Sequence, residues 1–378
     1  MLYFDQTATT KPNQEVLDVY MQTSNKCWYN ASSNYVLGTK SKQLFDKASI
    51  LALNSLGVTN KKVVFTSGAT EANNLAIYGI CNKYLGTKKR IITTKIEHPS
   101  VMSCFEDLAS KGFEVIYLNV DHNGLIDLNE LKSAINSDTV LVSIMWVNNI
   151  IGVIEPIKEI IQIVKKYPRT KLHIDAVQGF SKLKNDFSFD DVDLITISAH
   201  KIHGLKGTGA LFINKNLDLV APLKGATQQE GLKPGTIDVA GAVSCAKAMQ
   251  LATIDINKKY QYVLMLHTYL KNKLSINPNI VINTPDNNYS PYIFNFSMPK
   301  VKSETIIHTF EQFEIYASSG SACSAKLAKP EKTIYAISND ANRALSAIRI
   351  SLCEEHTTSD IDKLVEAIDK ITILTKEK

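Results

Sequence analysis

The sequence predicts an α/β fold: a large domain with a mostly parallel central sheet, followed by a smaller α+β domain. The first observation is size, because 378 residues with 44% apolar and 21% charged side chains can form about two cores. The second is the alternation of short apolar runs with segments of helical periodicity, which is typical of βαβ units. The third is a change near residue 240, where long helical patterns replace this alternation.

Strand candidates follow one another through the first part of the chain, and several are separated by helix-like stretches. In order, they are residues 63–66, 90–94, 114–118, 140–145, 171–175, 194–198 and 210–213. After the first strand, Ala72, Leu75, Ala76, Ile80 and Tyr84 recur at spacings of three and four, which predicts a helix. We therefore expect the large domain to span residues 12–250.

Residues 251–378, together with the N-terminal segment 1–11, are expected to form the smaller domain. A long helical stretch is followed by a strand-like run at 292–296. A closing amphipathic helix is indicated by apolar residues at helical spacing: Ile361, Leu364, Val365, Ile368 and Ile371. No Gly/Pro-rich linker marks the boundary between the two domains.

Composition narrows the function classes. The chain has 42 basic and 37 acidic residues, and a net charge of +5 is too small to indicate a nucleic-acid surface. Without a secretory signal or an apolar run of about 20 residues, we expect a cytoplasmic protein that is not membrane-associated. The six cysteines form no C-x-x-C pair, so neither a disulfide framework nor a metal site is expected.

Residues 65–70 end a strand and begin a helix, with the sequence Phe-Thr-Ser-Gly-Ala-Thr. Free backbone amides and the positive end of the helix dipole make such a turn a candidate phosphate site. Taken alone, the segment is better explained as an ordinary capped helix start.

Three further side chains follow predicted strands, where α/β sheets place functional groups. Asp175 closes the 171–175 strand, His98 follows the 90–94 strand, and Lys201 follows the 194–198 strand. A desolvated lysine in that position can have a lowered pKa and form a Schiff base. Each residue alone also has an ordinary interpretation: a helix cap, a structural histidine and a surface lysine.

Cys323 lies in a run of small residues, 317–325, that offers little to anchor it in a core. We therefore expect an exposed cysteine, which is the setting of a reactive thiol rather than a packing one.

Taken in order, these segments resemble the cysteine desulfurases, pyridoxal-phosphate enzymes of the class V aminotransferase family. The matching segments extend over nearly the whole chain: residues 3–5, 8–10, 66–74, 97–99, 148–152, 175–178, 200–201, 235–236, 319–323 and 348–351. The resemblance implies the type I fold of pyridoxal-phosphate-dependent transferases, pyridoxal 5'-phosphate as cofactor, and a homodimer.

The resemblance also implies roles for individual residues. Lys201 is similar to the lysine that forms a Schiff base with the cofactor, Asp175 to the acid paired with the ring nitrogen, and His98 to the residue stacked on the ring. Asn149 and Gln178 resemble residues that hydrogen-bond the ring oxygen. The implied phosphate ligands are Ala69, Thr70, Ser198, His200 and, from the other subunit, Thr236.

The implied reaction converts L-cysteine to L-alanine. Arg349 resembles the arginine that clamps the substrate carboxylate, with Asn149 also contacting substrate. Cys323 is similar to the cysteine that takes the sulfur as a persulfide and passes it to an acceptor protein, either a tRNA-thiolation enzyme or an iron–sulfur scaffold. The small-residue run and the long segment after Cys323 resemble the group with a long catalytic loop.

Several positions depart from the family pattern, although none of them replaces the lysine, aspartate, histidine or cysteine that the implied reaction requires. The departures are Gln6, Ala31, Ile150, Glu155, Ala226, Thr227, Glu230, Lys233 and Cys353. Two alternatives therefore stay open. One is a related lyase or aminotransferase, which would not require Cys323. The other is a cofactor-bearing scaffold protein with decayed activity, against which the intact Lys201 and Cys323 argue.

Overall fold

The computed structural model describes residues 1–320 and 330–374 of the chain. A seven-stranded sheet forms the centre of the large domain. Its strands are β2 (Lys61–Thr66), β3 (Arg90–Thr94), β4 (Glu114–Leu118), β5 (Thr139–Met145), β6 (Lys171–Asp175), β7 (Leu194–Ser198) and β8 (Gly209–Asn214). Their spatial order is β2-β8-β7-β6-β5-β3-β4.

The pairing confirms the predicted mostly parallel sheet. All pairs from β4 through β3, β5 and β6 to β7 are parallel, whereas β8 is antiparallel to both β7 and β2. Strand β8 reverses because the connection from β7 is too short for the crossover that a parallel neighbour requires. Four predicted strands have the observed bounds, and β2, β5 and β8 extend by one or two residues.

Helices cover both faces of this sheet. They are α1 (Gln14–Lys26), α2 (Val36–Leu56), α3 (Ala69–Cys81), α4 (Pro99–Ser110), α5 (Leu128–Ala134), α6 (Ile157–Val164) and α7 (Val239–Ala252). Successive strand residues point to opposite faces: Ile92 and Ile195 pack in the core with α2, α6 and α7, and Ile91 and Leu194 pack in the core with α3 and α4. Coverage on both sides explains the continuous apolar runs of the strands.

A separate core lies in the C-terminal part. Its strands are β9 (Val281–Ile282), β10 (Ile293–Ser297), β11 (Ile315–Tyr316) and β12 (Ala347–Ser351), and its helices are α8 (Ile256–Ser275), α9 (Ser303–Gln312), α10 (Lys332–Ser338), α11 (Ala341–Leu345) and α12 (Thr358–Leu374). Strand β10 pairs with β12 and β9, both antiparallel. Among the described residues, no single helix is long and apolar enough to cross a membrane. The bent pair formed by α7 and α8 reaches the required length and apolar composition only when the two helices are taken together.

The N-terminal segment contacts both cores. Strand β1 (Leu2–Tyr3) pairs with β11, and Phe4 is fully buried in the C-terminal core. A few residues later, the Thr10 amide donates to the His200 carbonyl oxygen at 2.9 Å. The intervening residues are therefore fixed between the two parts of the molecule.

The buried acid Glu155 lacks a full set of hydrogen bonds. Its Oε2 accepts only from the Ile126 amide, at 3.3 Å, and its Oε1 has no partner among the described residues. Burial raises the pKa of Glu155 to about 8. The side chain therefore resembles a neutral amide at physiological pH, which fits a position where the family has glutamine.

We expect Glu155→Gln to stabilise the protein at pH 8 and to have little effect at pH 5. Because the folded-state pKa lies above the usual value, the native state binds this proton more tightly, and stability is lost as pH rises from about 4.5 to 8. Urea denaturation should show a gain of about 1–3 kcal/mol at pH 8. The exposed Glu159→Gln is the control. Equal effects at both pH values would contradict this assignment.

Candidate active site

Several of the predicted site residues meet at the carboxyl edge of the central sheet. Asp175 is the last residue of β6, and Lys201 ends a short 3-10 turn that directly follows β7. Strands β6 and β7 are adjacent and parallel. Their carboxyl ends therefore lie side by side, which explains why two residues 26 positions apart can share one cleft.

Asp175 is a buried carboxylate held by neutral donors. Its Oδ2 accepts from Asn73 Nδ2 at 2.9 Å, and its Oδ1 accepts from the Val177 amide at 3.0 Å. The same Asn73 amide donates to Ser100 Oγ at 2.9 Å. Since no cation of the described residues forms an ion pair with Asp175, its charge is suited to a protonated ring nitrogen.

Lys201 has the environment of a reactive amine. Its Nζ donates to the carbonyl oxygens of Thr7 at 2.7 Å and Ala8 at 2.5 Å. Burial lowers its pKa to about 7, and the positive charges of Arg349 and Lys182 act in the same direction. A sizeable fraction is therefore neutral and nucleophilic near pH 7. Interpreting Lys201 as an ordinary surface lysine is wrong.

His98 lies at the start of α4, across the cleft. The Ser100 amide donates to His98 Nδ1 at 3.2 Å, and the Ser100 hydroxyl lies 2.8 Å from the same atom. Burial lowers the pKa of His98, an effect that the charge of Asp175 opposes and that of Lys201 reinforces. A lowered pKa favours the neutral ring, which is the form that can accept a proton.

The start of α3 has the features of a phosphate site. Gly68, the residue before the helix, supplies no side-chain cap, so the first-turn amides of Ala69 and Thr70 are available to bind an anion. Ser198 Oγ is buried without a partner among the described residues, and a Cβ on Gly68 would lie 4.0 Å from it. An unpartnered buried hydroxyl beside this turn is explained by a phosphate site and not by an ordinary capped helix start.

Gly209 explains how the chain forms this close arrangement. A Cβ at that position would lie 2.8 Å from the Gly68 Cα, so only glycine lets β8 approach the turn before α3. His200 lies on the same side, with Nδ1 3.1 Å from Thr9 Oγ1. Burial lowers the pKa of His200 to about 4, so it would meet an anion as a neutral hydrogen-bond donor.

Gln178 and Asn149 contact the other residues of the site in different ways, Gln178 through its side chain and Asn149 through its main-chain carbonyl oxygen. Gln178 is buried, and its Nε2 donates to the Thr7 carbonyl oxygen at 3.2 Å. Asn149 is half-buried, and its carbonyl oxygen accepts from Arg349 Nη1 at 2.9 Å. The preceding residue, Asn148, fixes the turn that contains Asn149, because its Oδ1 accepts hydrogen bonds from the backbone amides of Ile150 and Ile151.

Arg349, on β12, brings the C-terminal part of the chain to the cleft. Its Nη2 donates to Asp5 Oδ1 at 2.8 Å, and its side chain is 4% exposed. Its buried Nε has no partner among the described residues. An unpaired guanidinium N–H beside a second nitrogen suits two-point binding of a carboxylate.

Sequence reasoning missed Asp5 and Asn73, which orient Arg349 and Asp175 respectively. Both lie in segments that carried the family resemblance, and that was the available signal.

Thr236 is not shown at the Lys201 site: it is exposed and lines a separate cavity of about 260 Å³ with Ser67 and other residues. Its contribution to a second subunit stays a prediction. Cys323 lies outside the described residues.

Comparisons with known proteins show to which family this chain is similar. The sequence model of the family described as Aminotransferase class-V matches residues 2–364. A NifS/IcsS protein homolog of Lactobacillus delbrueckii subsp. bulgaricus is 37% identical over 98% of this chain and 97% of its own. Cysteine desulfurase IscS of Dictyoglomus turgidum is 33% identical, with coverages of 98% and 94%. A solved NifS-like protein superposes with a TM-score of 0.91 at 32% identity, covering 99% of both chains.

We expect Ser198→Ala to weaken binding of pyridoxal 5'-phosphate by about tenfold, because one hydrogen bond to a charged group is lost. Titrating the cofactor-free protein while following its intrinsic fluorescence measures this affinity. Ser133→Ala, an exposed serine on α5, is the matched control. Unchanged affinity in Ser198→Ala would exclude Ser198 as a phosphate ligand.

Proposed function

The chain belongs to the class V aminotransferase family and, within it, to the pyridoxal-phosphate-dependent cysteine desulfurases, and from this premise we propose that it converts L-cysteine to L-alanine with sulfur transfer to Cys323. The observation that carries the proposal is the convergence of three groups on one cleft. Lys201 can bind the cofactor, Asp175 can pair with its ring nitrogen, and Arg349 can hold the carboxylate of an amino acid.

The described residues fit the cofactor. The orphaned Ser198 hydroxyl, the amides at Ala69 and Thr70, and His200 would hold its phosphate, with Asp175 at the ring nitrogen. When bound, pyridoxal 5'-phosphate supplies an electron-withdrawing ring that accepts the electrons left by removal of the substrate α-proton.

Two protein groups are placed to move protons. Lys201 Nζ is an amine of lowered pKa that could take the substrate α-proton and return it. His98 is the base proposed for the substrate thiol, because its lowered pKa favours the neutral form of the ring. Arg349 keeps the substrate carboxylate fixed while these transfers occur.

In the proposed sulfur step, the Cys323 thiolate attacks the sulfur of the substrate. A new S–S bond forms as the carbon–sulfur bond breaks, and the released electron pair remains with the carbon skeleton, which leaves as L-alanine after protonation. The sulfur stays on Cys323 as a persulfide. The resemblance of the 319–323 segment to the family pattern supports this assignment.

The proposal extends to the partners of the reaction. A persulfide requires an acceptor, and we propose an acceptor protein that serves either tRNA thiolation or iron–sulfur cluster assembly in the cytoplasm, without direct contact between this chain and nucleic acid. Several relatives carry the name cysteine desulfurase, which supports the release of sulfur from cysteine and does not favour either acceptor. We also propose a homodimer in which Thr236 completes the phosphate site of the other subunit.

Incubation with pyridoxal 5'-phosphate, L-cysteine and a thiol reductant tests the reaction. We expect Cys323→Ala to lower sulfide release by at least about 100-fold, because the sulfur then has no nucleophile to receive it. Cys27→Ala removes another thiol that is not fully buried and is the matched control. Equal sulfide and alanine production by Cys323→Ala and wild type would exclude the persulfide role and favour the related-lyase alternative.

We expect Lys201→Ala to lose the visible absorbance that bound pyridoxal 5'-phosphate acquires on Schiff-base formation. A difference spectrum against the cofactor-free protein measures it. Retention of that absorbance in Lys201→Ala would show that another amine holds the cofactor. Wild type that binds the cofactor but releases neither sulfide nor alanine would support the scaffold alternative instead.

A further inference from the structure

A second lysine lies beside the cleft, in a position that sequence analysis did not single out. Lys182 Nζ donates to Gln178 Oε1 at 2.8 Å. It also lies 6.0 Å from the centre of the Tyr292 ring, whose hydroxyl donates to Glu354 Oε1 at 3.2 Å. Lys182 and Lys201 line the same small cavity of about 70 Å³. The ammonium group is therefore part of the cleft rather than of the outer surface.

Two contacts, with Lys182 and with the Thr7 carbonyl oxygen, determine which way the Gln178 amide faces. A side-chain amide has an acceptor end and a donor end, and either can face a given neighbour. An ammonium group only donates, so the Gln178 oxygen must face Lys182. The NH2 group is then directed at the Thr7 carbonyl oxygen, 3.2 Å away, which also accepts from Lys201 at 2.7 Å.

We propose that Lys182 is a positioning residue that, together with the Thr7 carbonyl oxygen, keeps the NH2 group of Gln178 on the side of Lys201, where the cofactor would bind. This inference rests on the proposed function, in which Gln178 contacts the ring oxygen of pyridoxal 5'-phosphate. A donor at that position stabilises negative charge on the ring oxygen, whereas an amide oxygen would repel it.

The surroundings of Lys182 keep its charge. Burial lowers the pKa of Lys182 to about 8, an effect that the carboxylate of Glu354 opposes. At pH 7 the side chain is therefore mostly an ammonium ion. The face of the Tyr292 ring adds a favourable contact for a cation. Because Tyr292 and Glu354 belong to the C-terminal part, the orientation of Gln178 depends on the docking of both parts of the chain.

The test is a pH titration of the visible absorbance of the bound cofactor in the full-length enzyme. Lys182→Met keeps an unbranched stem but removes the donor, so only the hydrogen bond to the Thr7 carbonyl oxygen still orients the Gln178 amide. The titration reports loss of the proton that the ring oxygen of the cofactor shares with the Schiff-base nitrogen. We expect its midpoint to rise by about one pH unit, because a ring oxygen with less stabilised negative charge holds this proton more firmly. Lys182→Arg, which only donates, should titrate close to wild type. The exposed Lys184→Met is the matched control.

The double variant separates positioning from a plain charge effect. In a Gln178→Ala background, Lys182→Met should cause no further shift, because there is no amide left to orient. Additive shifts would overturn the proposal and assign the effect to the lost charge. A wild-type midpoint in Lys182→Met would overturn it as well.

Two further outcomes are distinguishable. If Lys182→Met does not fold, judged by its melting curve, Lys182→Gln takes its place, with an intermediate midpoint expected and a wild-type midpoint overturning the proposal. If wild type itself acquires no visible absorbance with pyridoxal 5'-phosphate, the proposed function fails. If wild type does and the Lys182 variants match it, only this inference fails.

Discussion

The site depends on the N-terminal segment being fixed between two cores. Phe4 is anchored in the C-terminal core, and Thr10 is hydrogen-bonded to the turn that carries Lys201. Between them, the Thr7 carbonyl oxygen accepts from both Lys201 and Gln178. One backbone oxygen therefore sets the position of the amine and of an amide that would contact the cofactor. Any change that loosens this segment displaces both.

The charges of the cleft are balanced to receive an anionic ligand. Three cations, Lys182, Lys201 and Arg349, lie near three acids, Asp5, Asp175 and Glu354. The amides at the start of α3 favour a phosphate, and the unpaired Nε of Arg349 favours a carboxylate. Mutual repulsion among the cations also contributes to the lowered pKa of Lys201. The features that bind the ligands therefore also activate the amine.

The departures from the family pattern leave this chemistry intact for physical reasons. Lys233 pairs with Glu71 at 2.8 Å and Glu230 pairs with Lys62 at 2.7 Å, so both altered side chains have local partners. Cys353 is buried, and burial raises the pKa of its thiol to about 11, so it is a poor nucleophile. It does not compete with the thiol proposed at position 323.

The sequence by itself determined the local features: strand positions, the turn at 65–70, and Asp175 and Lys201 at strand ends, since periodicity and turn chemistry act over a few residues. The family resemblance added roles for Arg349 and Ser198. Only the tertiary structure decided that Arg349 pairs with Asp5, 344 positions away, and that Asn73 holds Asp175 across 102 positions. Such pairings, and the burial that shifts a pKa, depend on which distant segments pack together, and no local pattern encodes that.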